Sequence, residues 1–176
     1  MQIFDKEYNF KGQYGQYCRS LNSREGVGLF KTNREAYVFS SIIGFANGEQ
    51  SKDVVYNQEI PHATILPSEL AKQRENLRLI YHLIMLLKEE PNFTLEDYKN
   101  RTFRDEADEE HPEKLENNMK LFNSYAEGGI EYLYEKFEHC QNTGEVVDEL
   151  YQFVSDFAVK AGLKESEMDF INFDEI

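Results

Sequence analysis

From Pro112 onward the apolar positions Leu115, Met119, Phe122, Ala126, Gly129, Leu133 and Phe137 recur at gaps of four and three. This spacing predicts one long helix with a packing seam about 40 Å long. Gly128-Gly129 lies inside it and costs roughly 2 kcal/mol of helix propensity relative to two alanines. Either the helix breaks there or a neighbouring backbone comes very close, and close approach is the better expectation because the seam stays in phase on both sides. A second strong pattern is Leu77–Leu87, where only Arg78 and His82 interrupt the apolar run. An all-round apolar helix is expected to be central and contacted on several sides. It is predicted to start at Pro67-Ser68 and stop before Pro91.

Three further helices follow from start signals. Thr32 and Glu35 form a T-x-x-E capping box before the apolar run Asn33–Ala46, which Asn47-Gly48 ends. Its apolar positions cover most of the circumference, so it is expected to be well buried. Thr94 and Asp97 cap a short helix over Leu95–Phe103, and a last helix, Val146–Ala161, carries Val147, Leu150, Val154 and Phe157 on one face. The N-terminal segment to about Lys31 is aromatic and glycine-punctuated, with a short helix over Gln13–Leu21. Extended pieces at Val27–Phe30 and Val54–Tyr56 could pair as a short ribbon. The expected fold is mainly α: a single compact domain of five to six helices around a central buried helix, with at most a short two-stranded β element. It spans residues 1–163, with an acidic amphipathic tail over 164–176.

Charge changes this picture because it is unevenly placed. Residues 1–100 hold 12 Lys/Arg against 13 Asp/Glu, whereas 101–176 hold 7 against 20. With 40% hydrophobic and 14% aromatic residues the chain is no disordered polyanion. The anionic half suits contact with a basic protein surface, and its candidate residues are Asp105, Asp108, Glu109, Glu110, Glu131 and Glu135. Alternatively these carboxylates, with Glu127 and Glu138, mimic a phosphate backbone and inhibit a DNA-binding enzyme. The basic residues Lys11, Arg19, Arg24, Lys31 and Arg34 are interleaved with Tyr14 and Tyr17, the pairing of cations and rings used in nucleic-acid grooves. A pI near 4.7 opposes direct polyanion binding, and packing of the rings onto the helices is the simpler reading.

Catalytic signatures are missing from the sequence: there is no G-x-S-x-G, P-loop, dinucleotide fingerprint or H-E-x-x-H. Asp105–His111 lacks the glycine of a calcium loop, and no cofactor or metal is expected. An enzyme with a dispersed site would have to use His82 or His62. Cys18 and Cys140 show no metal-ligand spacing and are expected to be reduced and part-buried. No signal-peptide pattern or long apolar run is present, so a cytoplasmic, soluble protein is expected. A homodimer is open, since the glycine-containing seam and the tail each offer a surface and intrachain packing explains the seam equally.

The stretch GLFKTNREAYVFSSIIGFANG, residues 28–48, resembles a family of small bacterial proteins encoded beside DNA phosphorothioate-modification (Dnd) and related restriction systems. The matching features are Phe30, Thr32 and Arg34, then the Ile43, Gly44, Phe45 step. PSELAKQRENLRLIYHLIMLL, EDYKNRTFRDEAD and FNSYAEGGIEYLYEKF are in keeping with the same defence-associated group. The resemblance implies a genomic context in phage defence. In that context a non-enzymatic accessory or regulatory subunit would dock on a larger nuclease, ATPase or modification enzyme.

Overall fold

The computed structural model describes residues 3–23, 26–51, 62–160 and 162. Strand β1 (Tyr8–Phe10) leads into helix α1 (Gly12–Leu21), and α2 (Asn33–Asn47) follows. Then come β2 (Ala63–Ile65), α3 (Pro67–Ala71), α4 (Arg74–Leu87) and α5 (Leu95–Lys99). The chain continues through a π turn (Asn100–Arg104) and a 3-10 turn (Asp105–Ala107) into α6 (Pro112–Phe137) and α7 (Thr143–Lys160). The fold is mainly α with one short two-stranded antiparallel sheet.

The capping signals and the α6 seam give the elements they predict. Thr32 Oγ1 accepts from the Glu35 amide at 3.2 Å, the Glu35 carboxylate reaches back to the Lys31 amide at 2.9 Å, and Gly48 closes α2 in the left-handed region at φ 72°. Thr94 and Asp97 form a complete capping box on α5. Helix α6 runs unbroken through Gly128-Gly129, and of its seam residues all but the half-buried Met119 are buried. A Cβ added to Gly129 would lie 2.8 Å from the Gly44 nitrogen and nearer still to the Ser40 carbonyl; one added to Gly44 would lie 2.9 Å from the Gly129 nitrogen. The glycines of α2 and α6 therefore face each other where the two backbones cross.

Five expectations are corrected. The central helix is α6, which packs along α2 and also touches α1, α4 and α7. Helix α4 buries only Leu77, Ile80, Tyr81, Ile84 and Met85, and the expected long helix is broken at Gln73, whose φ of −121° and ψ of 16° are not helical. Helix α2 is not covered all round, because Phe39 and Ile42 are exposed. The sheet joins Tyr8–Phe10 to Ala63–Ile65, with Phe10 opposite Ala63. This pairing sets Phe10, Ala63 and Ile65 into the core, while Thr64 and Asn9 bond on the outer side. Phe30 makes only an isolated bridge to Asn22, and 54–56 lie outside the described residues. On α7 the predicted Leu150, Val154 and Phe157 are half-buried, but the buried residues are Val146 and Ala158, and Val147 is exposed.

The core is strongly aromatic. Phe4, Tyr37, Tyr81 and Phe122 meet edge to face or tilted at 5.3 to 6.5 Å, joining the N-terminal segment to α2, α4 and α6. Cys18 and Cys140 are both free and buried, and burial pushes the Cys18 thiol up to about 12.

Candidate functional site

The acidic candidates separate into two groups. Asp105 is a correction, because it is buried: its Oδ2 accepts from Asn118 Nδ2 at 2.9 Å, beside the buried Arg101. Asp108 is at the surface but committed to the structure. It accepts from the Glu110 and His111 amides at 3.2 and 3.1 Å and pairs with Lys114 at 2.9 Å. The hydrogen bonds from Lys114 and His111 hold its carboxyl down to about 2. Glu109 and Glu110 are exposed and carry no side-chain ion pair among the described residues. Glu131 and Glu135 lie about 30 Å further along α6 at 1.5 Å per residue. There they act with Glu138, after burial itself, to raise the Tyr17 hydroxyl. Glu127 is also drawn inward, accepting from the Tyr8 hydroxyl at 3.3 Å, and its pKa is raised by burial. A continuous phosphate-like ridge is not formed.

The basic candidates are also redistributed. Phe10 and Tyr14 are wholly buried and Tyr17 stacks on Tyr134 at 4.3 Å, so these rings pack the core and the groove reading loses its bases' platform. Arg24 lies outside the described residues, and Lys11 sits at the start of α1. Arg19, Lys31 and Arg34, however, line one cavity of about 370 Å³ at the start of α2. Its wall is held by Asn33, whose Oδ1 accepts from Asn22 Nδ2 at 3.1 Å and whose Nδ2 donates to the Thr64 carbonyl at 3.2 Å.

One uncovered apolar face has no counterpart among the candidates that the sequence offers. Leu79, Leu83, Leu86 and Leu87 stand on the outer face of α4, Leu79 with 60% of its surface exposed. Beside them Phe103, 58% exposed, packs on the His82 ring at 5.1 Å. Burial and the Arg78 charge lower the His82 pKa, partly opposed by Glu106. Arg78 pairs with Glu106 at 3.0 Å, which ties the acidic connection before α6 to this face.

Arg101 fixes the geometry of the whole corner. The π turn brings its side chain into the core, 7% exposed, where Nε and Nη2 donate to the Met85 carbonyl at 3.0 and 2.5 Å. Nη2 also reaches the Lys88 carbonyl at 2.6 Å, and the guanidinium lies 4.9 Å from the Phe93 ring centre and 5.3 Å from that of Tyr98. It thus satisfies carbonyls that the end of α4 leaves without helical partners.

Comparison of the chain with protein-family models, curated proteins and solved structures finds no match. His62 is exposed, and neither it nor His82 lines the 370 Å³ cavity or the 310 Å³ aromatic cavity between Tyr8, Tyr37 and Met119. Among the described residues no three His, Cys, Asp or Glu side chains group to hold a metal, and no helix is long and apolar enough to cross a membrane.

Proposed function

We propose that this chain is a non-enzymatic protein-interaction module that seats the outer face of α4 on a larger, basic protein. The observation that carries this reading is the leucine row at positions 79, 83, 86 and 87. A helix that is apolar on all sides requires cover on all sides, and within the described residues only one side of α4 has it. The Arg78–Glu106 pair lies at one end of the row and the Lys88–Glu90 pair with exposed Glu89 at the other, and the connection that Glu106 belongs to continues into exposed Glu109 and Glu110. A net charge of −14 per chain opposes self-association and favours a partner of opposite sign. The resemblance over residues 28–48 supplies a candidate class: a cytoplasmic nuclease, ATPase or modification enzyme of a DNA-modification or restriction system, whose substrate requires basic surface.

Photo-crosslinkers at positions 83 and 86, with a control at exposed Gln152 on α7, test this in the native host. One dominant adduct with a larger basic protein, formed from 83 and 86 and not from 152, is the expected result. Absence of an adduct, or equal capture from all three positions, overturns the proposal. Adducts only between copies of this chain replace it with a homodimer.

A further inference from the structure

We propose that the cavity between the N-terminal segment, α2 and α6 binds a neutral purine base or nucleoside through ring packing and the Asn123 carboxamide. Its volume is about 310 Å³, and the rings of Phe4, Tyr8 and Tyr37 line it together with Leu115 and Met119 of α6. Phe4 and Tyr37 are buried and Tyr8 is half-buried, so the cavity is floored by ordered rings. A concave space of this size, apolar apart from a few placed polar groups, is how small-molecule sites are built. Aromatic walls favour a flat aromatic guest, because rings attract one another in offset-stacked and edge-to-face arrangements.

Asn123 supplies recognition of the ring's edge. It lines the cavity, and its Oδ1 accepts from the Tyr37 hydroxyl at 2.6 Å. Burial pushes the Tyr37 hydroxyl well above its ordinary pKa, so it stays protonated and donates. That bond orients the carboxamide and uses one lone pair of Oδ1. The second lone pair and both Nδ2 hydrogens have no partner among the described residues. An oriented carboxamide with an acceptor and a donor side by side is the group that pairs with the N6 hydrogen and N7 of adenine.

The chain bordering the cavity is anchored at both ends. Phe4 holds a φ of 60°, a left-handed conformation that a bulky residue rarely adopts, and its ring packs on Tyr37, Tyr81 and Phe122. Strain of this kind persists where the surroundings over-determine it, and it clusters at ligand clamps. At the other end Tyr8–Phe10 pairs with β2. Between the anchors Asp5, Lys6 and Glu7 are exposed, and with Glu116 and Lys120 they bring three carboxylates and two ammonium groups to the cavity. This rim offers no excess of positive charge to a phosphate, which selects a base or nucleoside over a nucleotide. The inference does not depend on the docking role of α4, which uses none of the same residues.

The test is calorimetric titration of the full chain with adenosine, inosine, adenosine 5′-monophosphate and cyclohexanol. Saturable binding of adenosine, one per chain, is expected, with inosine and the monophosphate weaker and cyclohexanol not bound. Inosine presents acceptors alone where adenosine presents a donor beside an acceptor, so it reads the pairing with Asn123. Asn123→Asp keeps an acceptor for the Tyr37 hydroxyl but removes the Nδ2 donors, and it is expected to weaken adenosine binding roughly tenfold. Met119→Trp fills the cavity from α6 and is expected to abolish binding while the urea midpoint holds, which separates loss of the site from loss of the fold. Absence of saturable adenosine binding at millimolar concentrations, equal affinity for inosine or cyclohexanol, tighter binding of the monophosphate, or undiminished binding by either variant overturns the proposal.

Discussion

Replacing Gly129 with alanine sets helix propensity directly against packing. In an isolated helix the change is favourable by about 1 kcal/mol. In the folded chain the new methyl would stand 2.8 Å from the Gly44 nitrogen, about 0.6 Å inside the 3.4 Å at which ordinary contact begins, with the Ser40 carbonyl nearer. All these atoms are backbone, so no side chain can swing aside and α2 must move away from α6. That movement opens the packing of Tyr37 against Phe122, whose ring centres lie 5.7 Å apart, and a gap of 0.5 to 1 Å forfeits roughly a quarter to a half of each contact's attraction. Overpacking of this kind costs about 1–3 kcal/mol or more, and backbone against backbone belongs at the upper end. The expected net loss is about 2 kcal/mol, which lowers Tm by roughly 4–8 °C in a domain of this size. Urea and thermal unfolding followed by circular dichroism measure it. Gly144→Ala is the matched control, because there the added Cβ meets only the Asn142 side chain, at 3.2 Å, and stability should hold or rise slightly. A Gly129→Ala chain as stable as the parent would refute the close approach.

Two other predictions concern the corner that carries the leucine face. Arg101→Met keeps the apolar stem but leaves the Met85 and Lys88 carbonyls without their donor, and it should destabilise the chain by about 3 kcal/mol, read as a lower urea midpoint. His82 has a folded pKa below its ordinary 6.5, so the unfolded chain takes up the proton first. Its contribution is therefore fully present above 6.5 and is lost as pH falls toward the folded pKa, and His82→Gln should flatten that part of the urea-midpoint profile. An unchanged slope would show that the ring is not held away from water.

The legible parts of the fold are those where a local signal and a tertiary demand coincide. The capping box at Thr32 and Glu35, the stop at Gly48 and the seam of α6 are each written in residue type and spacing, and each forms. The strand partners were less legible, since Tyr8–Phe10 pairs with a segment 55 residues away by register and no turn signal links them. The break at Gln73 has no proline or glycine to announce it. The cationic cavity was half visible: the clustering of Arg19, Lys31 and Arg34 before residue 35 was a sequence signal, but Glu69 and Thr64 join them only through the fold. Arg101 left no local trace, because its burial depends on the π turn after α5.

The all-round apolar pattern of Leu77–Leu87 contains both a misplacement and a functional argument. It demands burial on every side, and the described residues supply one side, so under the proposed docking role the remainder is left for a partner. This assigns different work to leucines and acids. Apolar contact at the centre of an interface governs how long a complex lasts, whereas charge at the rim governs how fast it forms. Against the protein captured by the crosslinkers, Leu83→Ser should therefore raise the dissociation rate by an order of magnitude or more with little change in association. Glu109→Gln with Glu110→Gln should slow association and flatten its salt dependence, leaving dissociation nearly unchanged. Surface plasmon resonance across a salt series separates the two. If neutralising the acids abolishes the complex while Leu83→Ser is tolerated, the acidic connection and not α4 is the docking element.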